Sequence, residues 1–264
     1  METIQLILLL IFLGVLLGTL AFLIGVKITG SKGRDYSTLR PTDEVNGQNV
    51  LEIIKKYKPI IYQKEDIKNE IKFIFYEFVE QKNTLVLIYR PVWEDEIHPN
   101  PIINQFYKIF RWFYYGSIKD IEFIEIFIDK KMGELLSFSF ETLAEGSSIE
   151  APKHELTTLV KQNKAFFNKN KNKPVFVPFD GSRCILQVIT WNHLFAIPKN
   201  LEGEGFDCPL KPLTEQHFRK YAISRRSSGL VKTRANKKIA YIVSISLSII
   251  FGLIIPLFLY FLIR

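Results

Sequence analysis

Ile71-Lys-Phe-Ile-Phe-Tyr-Glu-Phe-Val-Glu80, Gln81-Lys-Asn83, Thr84-Leu-Val-Leu-Ile-Tyr-Arg-Pro-Val-Trp93 is the stretch that sets the fold class. Two runs dense in Ile, Val, Leu, Phe and Tyr flank a three-residue polar connection. Such residues fit a pleated, half-buried surface, and a short polar link between two such runs predicts a β-hairpin. Working outward, Val50, Ile53, Ile54 and Tyr57 recur at helical spacing, so Val50–Tyr57 reads as a short amphipathic helix leading to a strand over Pro59–Gln63. Downstream, Pro99 and Pro101 break the chain. Ile102–Tyr115 then places Ile102, Ile103, Phe106, Ile109, Phe110 and Phe113 on one helical face, and Gly116 suits its C-cap.

A second hairpin is expected from Asp120–Asp129 and Glu134–Leu143 around Lys131-Met132-Gly133, and a third from Pro174–Phe179 and Arg183–Thr190 around Asp180-Gly181. Glu155–Asn168 reads as a poorly patterned helix, and Asn168–Lys173 as an exposed polar loop. Leu201–Pro212 reads as a loop, with Thr214 capping a last helix. Strands outnumber helices without βαβ alternation. The expected class over residues 50–218 is therefore α+β and strand-rich, a mostly antiparallel sheet or β-sandwich with a few helices.

Both ends differ sharply from this middle. Ile4–Val26 and Ile239–Ile263 are uncharged apolar runs, and at about 1.5 Å per residue each can cross a hydrocarbon core of about 30 Å. They are read as two transmembrane α-helices flanking the strand-rich domain, with a linker over residues 27–49 and a basic juxtamembrane segment over residues 219–238. A cleaved signal peptide suits the first run poorly, since Met1-Glu2-Thr3 carries no basic residue. Lys27, Lys32, Arg34 and Arg40 follow the first span. Arg219, Lys220, Arg225, Arg226, Lys232, Arg234, Lys237 and Lys238 precede the second. Both asymmetries put the central domain in the cytoplasm and both termini outside.

The net charge of +8 is concentrated beside the membrane. Its expected partner is an anionic headgroup surface rather than nucleic acid, for which no aromatic-interleaved basic patch exists. Cys184 and Cys208 are too few for a disulfide framework. Trp112, Tyr114 and Tyr115 fall outside the main apolar face of their helix, and such rings favour the headgroup zone. Polar residues within the spans are sparse, and Gly14-x-x-x-Gly18 and the serines of the second span permit close helix packing.

Two constellations carry candidate chemistry. If the strand ending at Trp93 continues, Glu94, Glu96 and His98 project from one face, a ligand set for a divalent metal or an acid–base pair. Asp120 and Glu122 lie on one strand face with Ile124. They are read either as structurally paired carboxylates or as further ligands converging with His98. No HExxH, EF-hand or zinc-type cysteine spacing occurs, and Gly181-Ser182-Arg183 lacks the spacing of a nucleophile elbow. His154, His193 and His217 stand alone in sequence, with Trp191-Asn192-His193 at a strand end where it can face a pocket.

Tyr57-Lys-Pro-Ile-Ile61, the hairpin ending at Tyr89 and Gly116-Ser-Ile-Lys-Asp-Ile-Glu-Phe-Ile124 together resemble the vacuolar-sorting-like β-sandwich family. A Pro-containing opening strand and a Gly-Asp-Trp-Glu type strand recur in that family. Here Ile121 replaces the tryptophan, and two extra residues separate Gly116-Ser117 from Asp120. The resemblance spans about a third of the central domain. It implies a β-sandwich and brings no settled activity. The expected function is a two-span membrane protein holding a β-rich binding or scaffold domain against an anionic surface. The alternatives are a membrane-tethered metal-dependent hydrolase and an accessory subunit of a membrane complex.

Overall fold

The computed structural model describes residues 2–31, 48–115, 118–163, 165–214, 216–217, 245–246, 248–254 and 256. They divide into two compact units. One is drawn from Met1–Asp35, Phe106–Ser117 and Thr233–Arg264, the other from Tyr36–Gln105 and Ile118–Lys232.

The larger unit opens with helix α2 (Gln48–Lys56) and strand β1 (Ile60–Gln63). The long hairpin follows as β2 (Ile71–Glu80) and β3 (Thr84–Trp93), and helix α3 (Pro101–Tyr115) begins soon after. Then come β4 (Asp120–Ile121), β5 (Ile124–Asp129), β6 (Leu135–Leu143), β7 (His154–Gln162), β8 (Ala165–Asn168), β9 (Lys173–Val175), β10 (Phe179–Asp180) and β11 (Arg183–Val188). Three short strands close it: β12 (Phe195–Ala196), β13 (Glu204–Phe206) and β14 (Leu210–Pro212). All belong to one strand-rich mixed sheet with the order β13-β1-β11-β12-β6-β5-β3-β2-β14. Pairing is antiparallel except for β1 with β11, β12 with β6 and β14 with β2.

The sheet curls. Its terminal strands β13 and β14 are consecutive in the chain, and only Asp207, Cys208 and Pro209 separate Phe206 from Leu210. Four Cα–Cα steps reach at most about 15 Å, whereas a flat sheet of nine strands would be about 38 Å across. The ends of the sheet therefore approach each other around a shared interior. Leu85, Leu87, Tyr89 and Trp93 of β3 meet Ile124 and Ile126 of β5, Phe138 and Phe140 of β6, and Leu186 and Val188 of β11 in one core. Helix α2 adds Ile54 to that core, and the Tyr89 hydroxyl donates to Ile54 O at 2.6 Å.

Several sequence expectations are corrected here. Glu155–Asn168 is not helical but forms the antiparallel pair β7 and β8, with Val160 opposite Phe167. Leu201–Pro212 is not a plain loop, since it supplies both closing strands. The strand ending at Trp93 does not continue through Glu94–His98, so period-two alternation does not govern those residues. Asn168–Lys173 includes an exposed turn, with Asn168 Oδ1 accepting from Asn170 N and Lys171 N. Residues 219–238, which hold the basic juxtamembrane segment, lie outside the described residues, as do residues 32–47 and the side chains of Trp112, Tyr114 and Tyr115.

The smaller unit contains helix α1 (Glu2–Ser31) and a C-terminal segment with a π-helical stretch at Ile250–Ile254. They pack through glycine. A Cβ on Gly18 would lie 3.2 Å from Gly252 Cα and 3.3 Å from Ser248 Oγ, so the two backbones nearly touch. Gly14, Gly18 and Ala21 are buried, while Leu9, Phe12, Val15, Leu16 and Leu20 point outward and are exposed. Side chains of α1 are described from Leu9 to Phe22 and at Ile24. Among the described residues, no helix is long and apolar enough to cross a membrane.

Candidate functional site

A proline in the middle of the sheet positions the first ligand-type residue. On β3, Tyr89 pairs with Ile124 of β5 and Val92 with Ile121 of β4, in the same register. That register sets Glu122 opposite Pro91, which has no N–H to donate, and the ladder breaks at Glu122 and Phe123. Glu122 is buried at this break.

Its neighbours come from the β6–β7 hairpin. Leu143 pairs with His154 and Glu141 with Leu156, so Glu141 and His154 are diagonal neighbours on one face. The same face carries Ser139 and Thr158, whose hydroxyls lie 3.0 Å apart. His154 Nδ1 lies 2.5 Å from Glu141 Oε2. Ligand-type atoms of Glu122, Glu141 and His154 all fall within 4.8 Å of one another. Two buried carboxylates and one imidazole thus share a small volume of the β6–β7 face. Both carboxylates with one ring nitrogen form a donor set for a hard or borderline divalent ion.

The far side of the His154 ring is held by Asn192, whose Nδ2 lies 2.9 Å from Nε2. In this orientation Asn192 Oδ1 is buried with no hydrogen-bond partner among the described residues. Turning the amide over lets His154 Nε2–H donate to Oδ1 and leaves Nδ1 with a free lone pair toward the carboxylates. Amide orientation is assigned from the surrounding network, and a ligating histidine ordinarily donates its other N–H in this way.

A second imidazole–carboxylate pair lies beside it. His193 is fully buried with φ +58°, a left-handed conformation uncommon outside glycine. The turn is fixed by His193 N donating to Thr190 O at 3.0 Å and Leu194 N donating to Thr190 Oγ1 at 2.9 Å. His193 Nδ1 lies 2.7 Å from Asp120 Oδ2, and the ring stacks on Trp93 with centroids 4.3 Å apart. Trp93 Nε1 donates to Gln63 Oε1 at 2.9 Å, and Gln63 Nε2 donates to Ile67 O and Asn69 O. The dyad is thus braced from β1 through β3.

The residues singled out from sequence are distributed among several partners. Glu94 Oε2 accepts from Lys119 Nζ at 2.6 Å near the surface. Glu96 is buried. His98 Nδ1 accepts from Asn100 N at 3.0 Å, and its ring meets Trp191 edge-on. Asp120 goes to His193 and Glu122 to Glu141 and His154. Among the described residues, no three of Glu94, Glu96, His98, Asp120 and Glu122 bring ligand atoms within 4.8 Å of one another. Nothing in the local sequence marks Glu141, and His154 stands alone there. The diagonal relation that joins them depends on the register of a hairpin whose connection, residues 144–153, does not announce it.

No family model matches the chain, and no curated protein matches it. Among solved structures it is similar to one described as a toxin fold for microbial attack and plant defense, at 10% identity over 70% of this chain and 82% of that one, TM-score 0.40. A second is NLPPya in complex with mannosamine, at 9% identity over 80% and 97% of the two chains, TM-score 0.39. A third is necrosis and ethylene inducing protein 2 from the causal agent of cocoa's witches' broom disease, at 9% identity over 66% and 76%, TM-score 0.36. At these scores the likeness carries no argument about fold or function.

Proposed function

We propose that this chain is a two-span integral membrane protein that holds its strand-rich domain as a binding or scaffold module at an anionic cytoplasmic membrane surface. The observation that carries this reading is the glycine-seamed pair of apolar helical segments. Its seam sets buried Gly14 and Gly18 against Gly252, while its outward side chains are Leu, Ile, Val and Phe. Water-soluble helices bury such residues; small residues inside and large apolar residues outside is the pattern of helices packed in lipid. The uncharged lengths of Ile4–Val26 and Ile239–Ile263 and the basic residues beside them support the same reading.

The test is topological. Burial pushes the Cys184 thiol up to about 12 and the Cys208 thiol up to about 11, so neither reacts readily near neutral pH. A membrane-impermeant thiol reagent on intact cells should label a cysteine appended after Ile263 and should miss Lys169→Cys in the exposed β8–β9 turn. Labelling of Lys169→Cys from outside would overturn the orientation. Release of the unmodified protein by alkaline carbonate would overturn the anchoring.

A second reading, a membrane-tethered metal-dependent enzyme, is favoured by the Glu122–Glu141–His154 group. A divalent ion there would supply Lewis-acid chemistry, with the carboxylates and ring as its ligands and Asn192 orienting the ring. Equilibrium dialysis of the full chain against Mn²⁺ or Zn²⁺ tests it. One ion per chain is expected, and retention unchanged in Glu141→Gln would sink the assignment.

A further inference from the structure

Helix α3 is inside out with respect to water. Asn100 caps it, Oδ1 accepting from Ile102 N at 3.0 Å and Ile103 N at 3.1 Å. Along the described part of the helix, Ile102 and Phe106 are 69% and 68% exposed, and Ile103 and Ile109 are about half exposed. These four recur at the spacing of one helical face. Arg111, on the opposite side of the wheel, is 4% exposed, with its guanidinium 5.8 Å from the Tyr107 ring centroid. A helix in water turns its arginine outward and its isoleucines inward; here the arrangement is reversed.

We propose that α3 is an interfacial membrane helix whose Ile102, Ile103, Phe106 and Ile109 insert at the boundary between headgroups and acyl chains. This rests on the membrane reading given above and extends it to a third membrane-contacting element. Lipid, rather than a protein groove, is the occupant for two reasons. The second half of the helix, within Phe106–Ser117, belongs to the same compact unit as α1 and the C-terminal segment, whose outward residues are likewise exposed leucines and isoleucines. The sequence also continues the helix with Trp112, Tyr114 and Tyr115, residue types that settle at the headgroup level. An amphipathic helix lying in the interface sinks its apolar face about 5–10 Å below the headgroups, which sets the depth to be measured.

The full chain is reconstituted in vesicles containing lipids doxyl-labelled either near the headgroup or deep in the acyl chain. A fluorophore is attached at Phe106→Cys, at Leu16→Cys in α1, or at Met132→Cys in the exposed β5–β6 turn. Shallow doxyl should quench the Phe106→Cys label several-fold more than the Met132→Cys label. Deep doxyl should quench the Leu16→Cys label. Phe106→Cys quenched no more than Met132→Cys, with Leu16→Cys quenched, overturns the interfacial helix and leaves the anchoring intact. Protection of that unquenched label from aqueous iodide would mean that protein covers the face, which also overturns it. Loss of quenching at Leu16→Cys overturns the membrane reading itself.

Discussion

A Cβ on Gly14 would stand 2.5 Å from the carbonyl oxygen of Gly252. Pro256 lies four residues after Gly252 and has no N–H, so it cannot close the ordinary helical hydrogen bond to that oxygen. That carbonyl faces the Gly14 backbone, and the stretch around it, Ile250–Ile254, is wound as a π-helix. No side chain fits there without moving one backbone.

Gly14→Leu should therefore split the seam, while Leu9→Ala on the exposed side of α1 should be neutral. Overpacking of this kind costs about 1–3 kcal/mol. Thermal unfolding of the full chain in detergent checks it: the midpoint should fall by several degrees for Gly14→Leu and stay unchanged for Leu9→Ala. Equal midpoints would mean that the close approach of Gly14 and Gly252 contributes nothing.

Glu77 and Arg90 form a buried ion pair on adjacent strands. Arg90 Nη2 lies 2.9 Å and Nε 3.1 Å from Glu77 Oε1, with both side chains nearly inaccessible. Removing one partner strands a charge in the sheet, at a cost of about 3–5 kcal/mol, whereas replacing both with apolar groups can be neutral. Arg90→Met should thus lower the denaturation midpoint strongly, and Glu77→Leu combined with Arg90→Met should recover the part of the loss that comes from the stranded Glu77 carboxylate. Denaturant unfolding of the three chains decides it; a double variant no better than the single one would reject the stranded-charge account.

What could be read from residues alone depended on the range of the interaction. The β2–β3 hairpin was legible because its period, composition and turn are all local, and the pairing of Glu80 with Leu85 closes it where expected. Glu155–Asn168 is poorly patterned, and Leu156, Leu159 and Val160 also fall at a spacing compatible with a helix. Tertiary pairing with β6 overrode that spacing and buried Thr157 and Leu159 as alternating strand residues. The strands β12, β13 and β14 are two or three residues long, too short to show a period. Asp120 and Glu122 were visible as a pair of carboxylates, but Pro91 separates their fates. One meets His193 and the other meets Glu141 and His154, and neither partner can be chosen without knowing the register.

Asp207 offers a pH test. Lys58 contacts its carboxylate, and Arg183 Nη2 donates to Oδ1 at 3.0 Å. The hydrogen bond from Lys58 above all holds this carboxyl below the ordinary aspartate range, against a partial burial that acts the other way. A carboxyl whose folded value is depressed stabilises the fold above its unfolded value of about 3.9, and the contribution is lost as pH falls through the folded value. Asp207 is largely exposed, so the gain is about 1 kcal/mol or less. Asp207→Asn should unfold slightly more easily than the parent at neutral pH, and the two should converge below the aspartate range. A gap that persists unchanged into strong acid would place the effect elsewhere.

The two histidines that compete for a metal role can be separated in one experiment. His98 accepts a backbone N–H from Asn100 through Nδ1 and packs edge-on against Trp191, while its backbone N–H donates to Asn104 Oδ1. Those contacts fix the entry to α3 and leave His98 outside the Glu122–Glu141–His154 group. A cation that binds only the folded chain raises its melting temperature with concentration, by about 2.7 kcal/mol of stability at one hundred times the dissociation constant. The Mn²⁺-dependent rise in melting temperature should survive in His98→Ala, although that variant melts lower without metal. In His154→Ala the rise should vanish. It should shrink in Asn192→Leu, which leaves every carboxylate in place but no longer orients the ring. A rise lost in His98→Ala and kept in His154→Ala would move the cation away from β6 and β7 and back to the Glu94–His98 stretch.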